Sequence, residues 1–159
     1  MQTILYLVGK TNDHKLNTLV EDYKKRIEKY HRFDILTIPE IKNRGKLTKY
    51  LQKKREGELI TDRIKQYDYL VLLDETGKQM DSLFFSNFIN ARMMGSQKRL
   101  IFLIGGPYGF SDSVYKRANE KISLSKNDFF PSNGTYIFSE RYCPVTYFIF
   151  FPRAYLSKS

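Results

Sequence analysis

Short apolar runs alternate with stretches of helical spacing along most of this chain. Ile4–Val8 is an apolar run that ends at Gly9, and it reads as a strand. From Leu16 to Tyr30 the apolar residues fall at Leu16, Leu19, Val20, Tyr23, Ile27 and Tyr30, the spacing of one helix face. Phe33–Ile38 reads as a second strand, closed by Pro39. Leu47–Ile64 reads as a basic helix with a weak apolar stripe of Leu47, Leu51, Leu59 and Ile64, broken by Glu58. Tyr69–Leu73 is almost continuously apolar, as buried parallel strands are. Asp74–Lys78 then turns the chain. Asp81 or Ser82 caps a helix whose expected apolar face is Leu83, Phe84, Phe88, Ile89 and Met93. Leu100–Ile104 is the next strand, followed by Gly105-Gly106-Pro107 and Gly109, a short helix, and a last strand at Ile122–Leu124. This alternation predicts an α/β fold, a parallel sheet with helices on both faces.

The pattern fails after Lys126. Asn127–Ser159 is crowded with aromatic residues (Phe129, Phe130, Tyr136, Phe138, Tyr142, Tyr147, Phe148) yet has neither strand alternation nor helical spacing. Pro131, Pro144 and Pro152 interrupt it. An α/β domain is expected to end on a helix here.

Composition narrows the class. The 159 residues suit one domain with a real core. No apolar run is long enough to span a membrane, and the apolar start has no basic segment before it, so it reads as a strand. The single cysteine, Cys143, excludes an internal disulfide framework and makes the cytoplasm the expected address. The net charge of +10 favours a polyanionic partner, most simply nucleic acid, over a merely solvated lysine-rich surface. Lys42, Arg44, Lys46, Lys49, Lys53, Lys54, Arg55 and Arg63 concentrate that charge on the second helix, where they can track an RNA backbone or simply face water.

Candidate chemistry sits at strand ends. LLDETGK at Leu72–Lys78 and GGPYG at Gly105–Gly109 are expected to meet at one sheet edge, where open α/β sheets bind small molecules. Each alone is also an ordinary turn. No Gly-Lys-Ser/Thr follows the glycines, and the G-x-G-x-x-G fingerprint is absent, so triphosphate and dinucleotide sites are disfavoured. His14 and His31 lack metal-ligand spacing and read as surface or cap residues. No Ser-His-Asp or Cys-His arrangement supports nucleophilic hydrolysis.

Taken together, LLDETGK, FLIGGPYGFS and NEKISLSK resemble the RlmH family. ILYLVGKT at the start and EGELI at Glu56–Ile60 match the same family in order and spacing. These are SPOUT-class methyltransferases that move a methyl group from S-adenosylmethionine to N3 of a pseudouridine in 23S ribosomal RNA. The resemblance covers Met1–Lys126. It implies a parallel α/β sheet with a C-terminal trefoil knot, a rare exception to ordinary chain topology. It implies S-adenosylmethionine as cofactor, the large ribosomal subunit or assembled ribosome as partner, and a homodimer. By matched position, Leu73, Gly105, Leu124, Ser125, Lys126 and Phe129 would contact the cofactor. It assigns no catalytic residue in this chain.

After SLSK the family continues with a segment like MTFSHQMVRIFLV, part of the helix that threads the knot. This chain has NDFFPSNGTYIFSE. Written as degenerate codons and read from the second base, Asn127–Glu140 can encode the family segment at every triplet. The expectation is a single-base shift near codons 126–127. Residues 1–126 then form the methyltransferase-like domain, and 127–159 replace the family's knot helix, much of its dimer interface and its C-terminal Tyr-His pair. An RNA-binding module or inactive remnant of the same fold is the competing reading. A flavodoxin-like nucleotide binder is a further one that leaves the charge and the Ser-Leu-Ser-Lys loop without a role.

Overall fold

A computed structural model of the chain describes residues 1–9, 14–29, 31–80, 82–105 and 108–124. The elements run β1 (Gln2–Val8), α1 (His14–Glu28), β2 (Phe33–Ile38), a 3-10 turn at Arg44–Lys46, α2 (Lys49–Thr61), β3 (Tyr69–Met80), α3 (Ser82–Met94), β4 (Arg99–Ile104), α4 (Asp112–Arg117) and β5 (Glu120–Leu124). The five strands form one sheet in the order β2-β1-β4-β3-β5. Every neighbouring pair is parallel.

The continuous apolar runs are explained by burial on both sides. Leu5, Leu7, Phe33, Val71, Leu100 and Phe102 point to one face, where Ile27 of α1 and Phe85, Phe88 and Ile89 of α3 cover them. Ile4, Tyr6, Leu70, Leu72, Ile101 and Leu103 point to the other, where Ile60 of α2, Phe110 ahead of α4 and Val114 of α4 cover them. Helices therefore lie on both faces, as the alternation predicts. The expected C-terminal trefoil knot and the readings made of Cys143 and of 127–159 fall outside the described residues. Among the described residues no helix is long and apolar enough to cross a membrane.

Three elements differ from the sequence reading. On α3, Phe84 and Met93 are exposed, and the buried stripe is Phe85, Phe88 and Ile89. With Phe at both 84 and 85, spacing alone does not phase the helix; stacking of Phe85 on Phe88 and its approach to Phe102 does. On α2, Leu51 is exposed and the buried residues are Gln52, Glu56, Gly57 and Ile60, while Leu59 and Ile64 pack at the margin. Gln52 Nε2 donates to Glu56 Oε1 at 3.3 Å, so the two buried polar side chains satisfy each other. A Cβ at Gly57 would stand 2.1 Å from Ser111 Oγ, so glycine lets α2 approach the start of α4 closely. Thr48 caps α2 by accepting from Leu51 N at 3.2 Å. The third difference, in β3, shapes the site and is described below.

The opposite, amino-terminal edge of the sheet is tied by Asp68. Its carboxylate takes two hydrogen bonds from Arg99, at 2.8 and 2.6 Å, and one from Lys65 N at 2.7 Å. Arg117 donates to the Asp68 and Lys65 carbonyls. At the other side of that edge, His31 Nε2 lies 2.8 Å from Thr3 Oγ1, a part-buried link to β1 where the sequence reading has a surface or cap residue. Asp68 is nearly inaccessible to water, so Asp68→Ala leaves the Arg99 guanidinium without its counter-charge. The expected cost is about 3 kcal/mol, read by urea denaturation. A change below about 1 kcal/mol would show that the pair does not hold this edge.

Candidate functional site

All strands present their carboxyl ends to one edge of the sheet. After β3 the chain passes to the face covered by α1 and α3; after β4 it passes to the face covered by α2 and α4. Adjacent parallel strands whose connections leave in opposite directions open a crevice between their ends. A cavity of about 480 Å³ lies there. Leu73, Asp74, Glu75 and Thr76 line it from β3; Ile104, Gly105, Tyr108, Gly109 and Phe110 line it from β4 and its loop; Tyr115 reaches in from α4.

The β3 wall is a bulge. The sequence reading ends this strand at Leu73 and turns at Asp74–Lys78, but the strand resumes and runs to Met80. Leu73 and Lys78 both stand opposite Ile122 of β5, so the residues between them are extra and loop out over the cavity. Asp74 organises the loop. Its Oδ1 accepts from Thr76 N at 2.8 Å and from Thr76 Oγ1 at 2.6 Å. Its Oδ2 accepts from the Tyr115 hydroxyl, which ties the bulge to α4. A Cβ at Gly77 would lie 2.5 Å from the Ile122 carbonyl carbon, so the return to the ladder requires glycine.

The β4 wall is equally tight. A Cβ at Gly105 would stand 2.8 Å from the edge of the buried Phe110 ring. Phe110 meets Tyr115 edge-on, with centroids 5.7 Å apart. Gly109, at φ 77°, supplies the left-handed turn that brings Phe110 back against Gly105.

Charge inside the cavity opposes the charge of the whole chain. Two carboxylates, Asp74 and Glu75, line it in a protein of net charge +10. Burial pushes the Asp74 carboxyl up, but the hydrogen bonds from Thr76 and Tyr115 outweigh it and hold the group below its ordinary range. Burial, with the hydrogen bond to Asp74 and its charge, pushes the Tyr115 phenol up to about 12. Both groups therefore stay in their hydrogen-bonding forms across the neutral range.

Of the residues matched by resemblance, Leu73 and Gly105 come together here, with Leu73 paired beside Ile104. Leu124 closes β5 opposite Met80, beyond the bulge. Ser125, Lys126 and Phe129 lie outside the described residues. Tyr108 and Phe110 fall inside the FLIGGPYGFS segment with no role of their own in the sequence reading, which also does not contain the Asp74–Thr76–Tyr115 linkage. An Asp followed two residues later by Thr is a local turn signal that points to Asp74. Nothing local points to Tyr115, which lies 41 positions away.

The family model described as a predicted SPOUT methyltransferase matches residues 1–131. This chain belongs to the SPOUT methyltransferase family. It is 49% identical over 125 residues to the ribosomal RNA large subunit methyltransferase H of Christiangramia forsetii, covering 79% of this chain and 80% of that one. It is 50% identical over 129 residues to the protein of the same name from Cytophaga hutchinsonii, covering 81% and 83%. The namesake from Bacteroides thetaiotaomicron is 47% identical over 129 residues, covering 81% and 82%. A methyltransferase requires a methyl donor, and both walls of the cavity fall within the span matched by the SPOUT family. Among the described residues no group of His, Cys, Asp and Glu could hold a metal ion.

The Asp74–Tyr115 linkage predicts a pH window for the cavity wall. Folding lowers the Asp74 pKa, so its contribution is complete above the ordinary value of 3.8 and fades as pH falls through the lower folded value. Folding raises the Tyr115 pKa, so its contribution is complete below 10.0 and lost as pH rises through about 12. Subtracting the ultraviolet phenolate titration of Tyr115→Phe from that of the parent isolates this phenol. It should titrate near 12 and return toward 10.0 in Asp74→Asn. An unshifted phenol in the parent would show that the linkage does not form in solution.

Proposed function

We propose that this SPOUT methyltransferase moves a methyl group from S-adenosylmethionine to N3 of a pseudouridine in 23S ribosomal RNA. Its substrate is the large subunit or assembled ribosome. It works in the cytoplasm, as a homodimer where the C-terminus is that of the family. The observation that carries the reading is the cavity between the ends of β3 and β4, built from the two segments that resemble the family. Three named relatives with 47–50% identity support the ribosomal substrate.

The residues present suit this cofactor. The volume of about 480 Å³ is in the range of cofactor sites. Leu73, Ile104 and Phe110 offer apolar walls, and the ends of β3 and β4 offer backbone donors and acceptors beside Gly105. Asp74 and Glu75 favour a cationic sulfonium and disfavour a nucleotide phosphate, which counts against the flavodoxin-like alternative. Bound S-adenosylmethionine supplies an electrophilic methyl group on sulfur. The chain's part is then to hold donor and acceptor in line, which removes much of the entropic barrier. Asp74 and Tyr115 do this by fixing the bulge; Gly105 does it by leaving room beside Phe110.

Calorimetry with S-adenosylmethionine tests the cofactor. The parent chain should give a binding heat, Tyr115→Phe should bind about tenfold more weakly, and Gly105→Val should show no heat because Phe110 is driven into the cavity. Absence of heat with the parent chain would favour the RNA-binding remnant instead.

The second part of the proposal concerns the tail. Residues 1–126 form the methyltransferase domain, and 127–159 replace the family's knot helix through a single-base shift near codons 126–127. In support, the family match stops at residue 131, within that segment. Sequencing the gene from codon 120 past its stop tests the shift directly. Methyl transfer to isolated large subunits should be restored when the frame is corrected and be low for the chain as written. Normal turnover by the chain as written would overturn this.

A further inference from the structure

We propose that Lys49, Tyr50, Lys53 and Lys54 of α2, with Tyr108 at the cavity mouth, form a track that guides a single strand of RNA to the cavity. The partner class rests on the function proposed above; the placement rests on the geometry of α2. Lys49 and Lys53, and Tyr50 and Lys54, are each one helical turn apart and form two adjoining ridges. Lys53 and Lys54 share a side of the helix with Gly57, one turn on, which packs on Ser111 and Ser113 at the start of α4. The track therefore flanks the segment that runs from the cavity into α4.

The link to the cavity is direct. The Lys49 ammonium lies 5.3 Å from the centre of the Tyr108 ring, and Tyr108 lines the cavity while remaining half-exposed. Tyr50 is 72% exposed, a large ring held in water by a helix whose apolar contacts are elsewhere. Lys49 and Lys54 are exposed, and neither joins an ion pair among the described residues. The carboxylates of α2 are Glu56, buried beside Gln52, and Glu58, beyond the track.

Cations beside exposed aromatic rings match single-stranded RNA. Lysines neutralise phosphates, and tyrosine rings stack on bases that a duplex keeps covered. A strand lying along α2 and over Tyr108 would deliver a splayed base to the cavity mouth, next to the bulge held by Asp74. The track thus adds to the cavity what its own carboxylates do not supply, attraction for the substrate's backbone.

The test is fluorescence anisotropy of the full chain with a labelled twelve-nucleotide oligouridylate and with a duplex of equal length, over a range of salt. Lys49→Ala/Lys54→Ala should weaken single-strand binding about tenfold near 0.1 M salt and reduce the salt slope by about one. Tyr50→Ala should weaken it at least about fivefold with the slope unchanged. The control Lys25→Ala/Lys29→Ala, on exposed positions of α1 and just after it, should have little effect. Thermal unfolding checks that each variant is folded. Equal losses in track and control variants would mean attraction by net charge alone and would overturn the track. So would tighter binding of the duplex than of the single strand, or unimpaired binding by folded track variants. None of these results depends on the heat of S-adenosylmethionine binding, so failure of the track is distinguishable from failure of the methyltransferase reading.

Discussion

The need to bury both faces of an all-parallel sheet governs this molecule. A parallel sheet cannot leave one side to water here, because its central strands carry apolar residues at successive positions. Helices must therefore go to both sides. The connections after β3 and β4 diverge to opposite faces, as do those after the neighbours β1 and β4 and after β1 and β2. Divergence opens the strand ends, and the bulge after Leu73 and the segment from Gly105 to Phe110 set the cavity between β3 and β4.

Chemistry was then added by loops that the core tolerates. β3 leaves its ladder with β5 after Leu73 and rejoins it at Lys78, which costs pairing but places Asp74, Glu75 and Thr76 over the cavity. Asp74 recovers order by accepting from Thr76 and from Tyr115 on another element. The β4 loop does the same with packing, using glycine at 105 and 109 to set Phe110 against the wall. Both walls use backbone positions where a side chain does not fit.

The distribution of charge divides the labour. A basic chain with acidic groups in its cavity attracts a polyanion to its surface and a cation to its interior. That combination suits a sulfonium donor and a nucleic-acid acceptor. The family match shows a methyltransferase, and the relatives are named for ribosomal RNA.

The sequence by itself determined the alternation of strands and helices, the two-sided sheet and the expectation that LLDETGK and GGPYG end at one sheet edge, because these follow from local periodicity and from glycine punctuation. It also carried the family resemblance in its strand-end motifs. Only the tertiary structure decided which of Phe84 and Phe85 turns inward, why α2 buries Gln52 and Glu56 instead of Leu51, and that β3 continues past its turn. Each of these is settled by a partner distant in the chain: Phe102 for Phe85, Ser111 for the α2 face through Gly57, Ile122 for the bulge. Tyr115 reaches Asp74 in the same way. A hydrogen bond between residues 41 positions apart leaves no local trace, because its geometry exists only once the sheet has brought the two elements together.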